Sequence, residues 1–170
     1  IPNDGFLLVG DSGPNTKDAV AFARCQVETY GFSKKADWHI SDYFLRNNQS
    51  HFTLTYKQVK VGHFRIPIIG RHNVQNTGAA LALALKLGFR QKNLTQALIN
   101  FEGIKRRQEL VGEKNGVTVI DDFAHHPTAV MATMQTVSRN YPDARLFCCF
   151  EVESNTSRRR VFQADYPPAF

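Results

Sequence analysis

No uninterrupted apolar run in these 170 residues approaches the roughly 18 needed to span a membrane, so no transmembrane helix is expected. The opening IPNDGFLLVGD lacks the basic start and cleavage region of a secretory signal, and nothing in it marks the chain for export. Cysteine is scarce: Cys25, Cys148 and Cys149 are the only three. The last two are neighbours inside an apolar run, where a mutual disulfide is geometrically poor, so buried free thiols and a reducing cytoplasm are expected. No G-x-x-x-x-G-K-[ST] phosphate loop occurs, nor any internal repeat or low-complexity tract. His125 and His126 are adjacent and lack the i, i+4 spacing that suits two ligands on one helix face, so no metal site is expected. No Ser–His–Asp or Cys–His arrangement is legible.

What is present is enough apolar sequence (42%) for a core and a net charge of +6 with pI ≈ 9.4. That balance points to anionic partners such as nucleotides or phosphates. The basic runs Lys105-Arg106-Arg107 and Arg158-Arg159-Arg160 carry no interleaved aromatic pattern, so nucleic acid is not expected as a partner.

The most informative stretch is GVTVIDDFAHHPT, residues 116–128. Val117, Val119 and Ile120 suit a buried strand, Asp121 and Asp122 are candidate helix caps, and Pro127 suits a first helical turn. The unit reads strand, loop, helix, and in an α/β sheet ligands bind at such a loop. Asp122, Phe123, His125 and His126 are therefore placed for chemistry, with a plainly capped helix as the alternative.

Along the chain, GFLLVG reads as a strand. A helix capped by Asn15 or Thr16 should then carry Val20, Ala23, Val27 and Tyr30 on one face and stop at Gly31. Alternation around Trp38 and Ile40, then Phe52, Leu54 and Tyr56, then Phe64, Ile66 and Ile68 predicts antiparallel strands. VQNTGAALALALKLG predicts a helix buried on most of its surface, with Gly88 as its stop, and Leu94, Ala97, Leu98 and Phe101 predict another. KRRQELVGEKNG is charged and turn-forming, so residues 1–104 and 105–170 are read as separate domains joined by a hinge. Beyond it, a helix from Pro127 with Val130, Met134 and Val137 on one face and a strand Leu146–Phe150 would complete a parallel βαβ crossover. One crossover is too little sheet for a doubly wound domain, so the chain is read as truncated at its C-terminus.

GRHNVQNTGAALALALKLG, FEGIKRRQE, VTVIDDFAHHPTAV and FEVESNT, in that order, resemble the Mur ligases, and DDFAHHPTA with the preceding RR resembles the branch acting on UDP-N-acetylmuramate. FExxSNT resembles the members that take a murein tripeptide in cell-wall recycling, with alanine as the alternative amine. The resemblance implies an α/β fold: the later part of a central ATPase domain, then the first βαβ part of a Rossmann-like C-terminal domain. The UDP-binding domain, the phosphate-loop lysine and the principal Mg2+ ligands would lie upstream, so these residues alone should not be an active ligase.

The resemblance also implies roles. Asn73 would contact the adenine of ATP, supported by His72 and Asn76; an amide suits a base edge because it both donates and accepts. Taken alone, Asn73 reads as an N-cap and His72 as a loop histidine. Arg107 would reach across the domain junction to the γ-phosphate, with Lys105 and Arg106 as solvated neighbours. Asp122 would accept from a ribose hydroxyl. Phe123 and His125 would face the incoming amine, where a histidine can orient or deprotonate an ammonium or simply make a structural hydrogen bond. Ser154, Asn155 and Thr156 would hydrogen-bond a peptide carboxylate. Val152 and Glu153 depart from the family's FEPRSNT, and Glu153 would repel a carboxylate, leaving Arg158 or Arg159 to supply charge. A non-catalytic nucleotide-binding module stays open beside the enzyme.

Overall fold

The structure is a computed structural model that describes all residues except Ser12, Pro14, Glu153 and Thr156, and of Lys17 and Ala19 the backbone only. The chain divides into two compact units, Ile1–Glu102 and Gly103–Phe170.

The first unit runs β1 (Phe6–Gly10), α1 (Thr16–Val20), β2 (Gln26–Gly31), β3 (Trp38–Arg46), β4 (Gln49–Tyr56), β5 (Val59–Ile66), α2 (Arg71–Lys86) and α3 (Gln91–Ile99). Its five strands form one sheet in sequence order, with β1, β2 and β3 parallel and β3, β4 and β5 antiparallel. Asn47-Asn48 and Lys57-Gln58 take positive φ between the antiparallel strands, as two-residue hairpin turns require. Ile40, Phe52, Leu54, Phe64 and Ile66 point inward and pack with Val74, Leu81 and Ala82 of α2. The helix lies close to the sheet because residue 78 is glycine: a Cβ there would come within 2.5 Å of Ile40 Cδ1. Gly88, at φ 87°, ends α2 with Gly88 N–H donating to Leu85 O and Phe89 N–H to Ala84 O, so the stop expected from the sequence is a Schellman turn.

Two expectations for this unit change. The helix expected to continue to Tyr30 ends at Val20, and Val27 and Tyr30 belong to β2. Val27 and Thr29 favour a strand, but the inward residue between them is Glu28, which disguises the alternation. The second concerns α2, which is buried along one stripe only, Val74, Thr77, Gly78, Leu81 and Ala82, while Leu83 stays exposed. Its Ala-rich composition reflects close packing on one face.

Glu28 is 2% exposed yet satisfied. It accepts from Trp38 Nε1 at 2.6 Å, Tyr56 Oη at 2.8 Å, Gln26 Nε2 at 2.9 Å and Lys86 Nζ at 2.6 Å, tying β2, β3 and β4 to the end of α2.

The second unit contains β6 (Glu109–Lys114), β7 (Val117–Asp121) and α4 (Pro127–Asn140), followed by 3₁₀ turns Arg160–Asp165 and Pro167–Ala169. β6 and β7 form an antiparallel hairpin closed by Asn115 and Gly116, both at positive φ. KRRQELVGEKNG thus supplies a strand where only a charged turn was expected. The strand–loop–helix order expected from residue 116 onward holds, with Pro127 in the first turn. The strand is not the buried one expected: among the described residues β7 pairs only with β6, and Val117 and Val119 are 62% and 50% exposed. The cap, however, is His126, whose Nδ1 accepts from Thr128 N–H, while Asp121 ends the strand. Residues Leu146–Phe150 form no strand, so no parallel crossover is completed. Such a strand needs a paired neighbour and cover on both faces, and Leu146 and Phe147 are exposed here. Cys148 and Cys149 are free thiols as expected but exposed, whereas Cys25 is buried.

Candidate functional site

In the first unit the relevant residues lie where β1 and β2 end and α2 begins. Gly10 ends β1 near the Tyr30 hydroxyl and the Gln75 amide, which places the carboxyl end of β1 beside the second turn of α2. Asp11 follows, its Oδ2 accepting from Ser33 N–H at 2.7 Å. Gly31, at φ 149°, leaves the space this needs, since a Cβ would overlap the Asp11 carboxylate. The Arg71 guanidinium lies over the Phe32 ring at 3.5 Å, and Phe32 meets Tyr43 edge-on at 6.4 Å. Asp11, Phe32 and Arg71 escaped the sequence reading, although strand ends of a parallel sheet are where such residues are sought.

The N-cap of α2 is Gly70, so Asn73 is the third helical residue and not the cap. One of its amide hydrogens bonds the Ile69 carbonyl at 2.7 Å, which orients the side chain against the turn before the helix. The carboxamide oxygen and the second hydrogen have no other partner among the described residues, so the group keeps one acceptor and one donor. His72 is half-buried and Asn76 exposed.

In the second unit the segments 104–109 and 121–126 are stitched together. Phe123 N–H donates to Arg106 O at 2.8 Å, Gln108 N–H to Asp122 Oδ2 at 2.9 Å, and Ala124 N–H to Asp122 Oδ1 at 2.7 Å. Each Asp122 oxygen holds one backbone donor and retains a lone pair for another. Arg106 and Gln108 take φ of 57° and 52°, a region that non-glycine residues rarely enter, and they flank Arg107. The guanidinium carbons of Arg106 and Arg107 lie 5.1 Å and 5.7 Å from the Phe123 ring centroid. Arg106 is exposed, as expected of a solvated neighbour, and its Nε also pairs with Asp121 Oδ2 at 3.5 Å. Arg107 has no carboxylate partner among the described residues.

Phe123 meets the His125 ring edge-on at 5.0 Å, and His125 Nδ1 lies 3.0 Å from the Phe123 carbonyl oxygen. A carbonyl only accepts, so Nδ1 carries the proton, and the neutral ring has its lone pair on Nε2. Arg107, Asp122, Phe123 and His125 are thus gathered within one loop system. Of the FEVESNT residues, Ser154 Oγ donates to Ser157 Oγ at 2.8 Å and accepts from Ser157 N–H at 3.0 Å, so its hydroxyl is engaged in a local turn. Asn155 is exposed, Thr156 and Glu153 lie outside the described residues, and Arg158 Nε donates to Val152 O at 3.2 Å.

Residues 1–84 match the Mur ligase middle domain, and residues 106–166 match the Mur ligase glutamate ligase domain. The chain belongs to the Mur ligase family. Its mixed α/β architecture is the Mur ligase fold of those two domains. A UDP-N-acetylmuramate–L-alanine ligase from Caldanaerobacter subterraneus subsp. tengcongensis is 32% identical over 100% of this chain and 37% of its own length. The corresponding ligase of Endomicrobium trichonymphae is 37% identical over 95% of this chain and 36% of its length. Among solved structures, a murein peptide ligase from Psychrobacter arcticus superposes with TM-score 0.71 at 30% identity, covering 99% of this chain and 36% of that one. This Mur ligase chain therefore spans little more than a third of the length of the relatives it matches.

Proposed function

We propose that these residues form the later part of the ATP-binding domain and the start of the amine-side domain of an ATP-dependent ligase. That ligase joins the murein tripeptide L-alanyl-γ-D-glutamyl-meso-diaminopimelate to UDP-N-acetylmuramate, in the cytoplasm, during peptidoglycan recycling. The observation that carries the reading is the loop system that holds Arg107, Asp122, Phe123 and His125 together in the second unit.

In such a ligase ATP, as substrate, phosphorylates the muramic carboxylate, and the amine then attacks the acyl carbon as phosphate leaves. The residues fit those needs. Asn73 offers a donor and an acceptor to a base edge, supported by His72 and Asn76. Asp122 has lone pairs left for a ribose hydroxyl. Arg107, unpaired with any carboxylate among the described residues, supplies charge to a phosphoryl group. Phe123 walls the amine position, and His125 Nε2 is the base-side nitrogen that accepts from the ammonium. Asn155 and Thr156, with Ser154 in its turn, would face the peptide carboxylate, and Arg158 or Arg159 would balance it. The principal Mg2+ ligands would lie upstream of these residues.

FEVESNT and the similarity to the murein peptide ligase support the tripeptide. The names of the curated relatives favour L-alanine as the amine, which is the second reading. The full-length ligase should be assayed for ADP release with UDP-N-acetylmuramate and either tripeptide or L-alanine. Turnover with tripeptide well above that with L-alanine is expected. The reverse preference establishes the second reading, and no turnover with either assigns the chain to a non-catalytic nucleotide-binding module.

A further inference from the structure

We propose that Tyr166 is a positioning residue for His125, holding the loop so that the imidazole presents Nε2 to the incoming amine. This rests on the amine-side reading of His125 given above. The Tyr166 hydroxyl donates to the His125 carbonyl oxygen at 2.5 Å, across 41 residues of sequence. Its ring is buried against Val130 and Ala169 and lies 5.3 Å from the Phe150 ring, so packing on three sides fixes where the hydroxyl sits. Four residues earlier, Phe162 meets the His126 ring edge-on at 4.9 Å. Phe162 of the first 3₁₀ turn and Tyr166, between the two turns, thus contact both histidines of the pair.

The direction of a carbonyl is set by the backbone torsion of its own residue. Anchoring the His125 carbonyl therefore fixes the backbone from which the imidazole projects. The ring is held from its other side by the Nδ1 bond to the Phe123 carbonyl and by the Phe123 ring. With both ends fixed, a single tautomer and a single ring orientation follow. Immediately downstream, His126 caps α4 and Pro127 begins it, so the chain has no slack there to absorb a shift. No residue of the His125 loop touches the Tyr166 hydroxyl except through that carbonyl among the described hydrogen bonds.

The test is Tyr166→Phe, which keeps the packed ring and removes only the hydroxyl. Imidazole ¹⁵N spectra of the full-length ligase report the tautomer, with the His125 signals assigned by their loss in His125→Gln. Kinetics of the full-length ligase report the amine KM. Tyr166→Phe should shift His125 from a predominantly Nδ1-protonated ring toward a mixture and raise the amine KM about tenfold, with the ATP KM within twofold. Phe150→Leu loosens the same packing without touching the hydroxyl, and should lower Tm while leaving the tautomer signature in place. A wild-type signature and amine KM in Tyr166→Phe would overturn the proposal, as would a signature lost equally in Phe150→Leu, which marks a packing role. His125→Gln separates the underlying reading: if it leaves the amine KM unchanged, His125 is not at the amine and the positioning role falls with it. If it raises the amine KM while Tyr166→Phe does not, only the role of Tyr166 fails.

Discussion

The indole N–H of Trp38 donates to Glu28 at 2.6 Å, joining β3 to a carboxylate that the sheet otherwise seals from water. Burial pushes the Glu28 carboxyl up, but the bonds from Lys86, Tyr56 and Trp38, with the Lys86 charge, outweigh it and leave its pKa below the ordinary value. Lys86 is raised, mainly by its bond to Glu28. Removing one partner of a buried pair leaves the other uncompensated, so Lys86→Met should destabilise the chain by about 3 kcal/mol in urea unfolding, less than a fully sealed pair because Lys86 is partly exposed. Because the folded value of Glu28 is lowered, its contribution is full above the normal carboxylate range and is lost as pH falls through the lowered value. The Lys86 contribution is full below its normal range and is lost as pH rises through the raised one. Glu28→Gln should flatten both limbs of the stability–pH curve; unchanged limbs would remove the pair from that role.

Ser50 presents the opposite case. Its Oγ is fully buried, opposite Ile66 across β4 and β5, and has no hydrogen-bond partner among the described residues. An unmet buried hydroxyl carries a desolvation penalty that alanine does not. Ser50→Ala should therefore raise stability by about 1 kcal/mol, seen as a higher urea midpoint with an unchanged slope. A lower midpoint would show that the hydroxyl is bonded in solution.

The sequence exposes elements whose inward residues are apolar and hides those whose inward residues are not. β4 reads cleanly because Phe52 and Leu54 alternate with Thr53 and Thr55. β2 resembles a helix in sequence because Glu28 occupies its inward position, and its bonds to Trp38, Tyr56 and Lys86 join residues up to 58 apart in sequence. β6 had a local signal in Asn115-Gly116, masked by Glu109, Glu113 and Lys114 around it. Within the candidate site, residue types were legible and partners were not. Nothing near Asp122 in the sequence indicates that its two oxygens anchor Gln108 and Ala124, and nothing near His125 announces Tyr166.

Asn73 can be tested by separating its two duties. Asn73→Ala should raise the KM for ATP in the full-length ligase about tenfold, the scale of one lost hydrogen-bonded contact, and lower stability by about 1 kcal/mol through the lost bond to Ile69. Asn73→Asp places a carboxylate in the first turn of α2, which has no acidic residue there, so the helix dipole should restore about 0.5 kcal/mol. Its ATP KM should stay raised, because the amide donor is still missing. An ATP KM that follows stability in both variants would make Asn73 a helix-start residue only.

Arg106 and Arg107 stack near the same ring, yet they should behave differently. Arg106 is engaged with Asp121 and its backbone N–H donates to Glu109 at 2.8 Å, so it supports the loop. Arg107 has no carboxylate partner for its guanidinium among the described residues, and residues at positive φ flank it on both sides. If it meets the phosphoryl group chiefly as charge shifts during transfer, its loss removes stabilisation of the transition state and not of the ground state. Arg107→Ala should then lower kcat on the order of a thousandfold, as for other arginines that act on a transferring phosphoryl group, with ATP affinity within about threefold. Arg106→Ala should lower stability by about 0.5 kcal/mol, the scale of an exposed ion pair, and change kcat less than tenfold. Steady-state rates and nucleotide titration on both variants decide it. Equal losses of kcat would make the pair a shared electrostatic patch, and a loss in Arg107→Ala explained wholly by weaker ATP binding would make Arg107 a ground-state phosphate ligand.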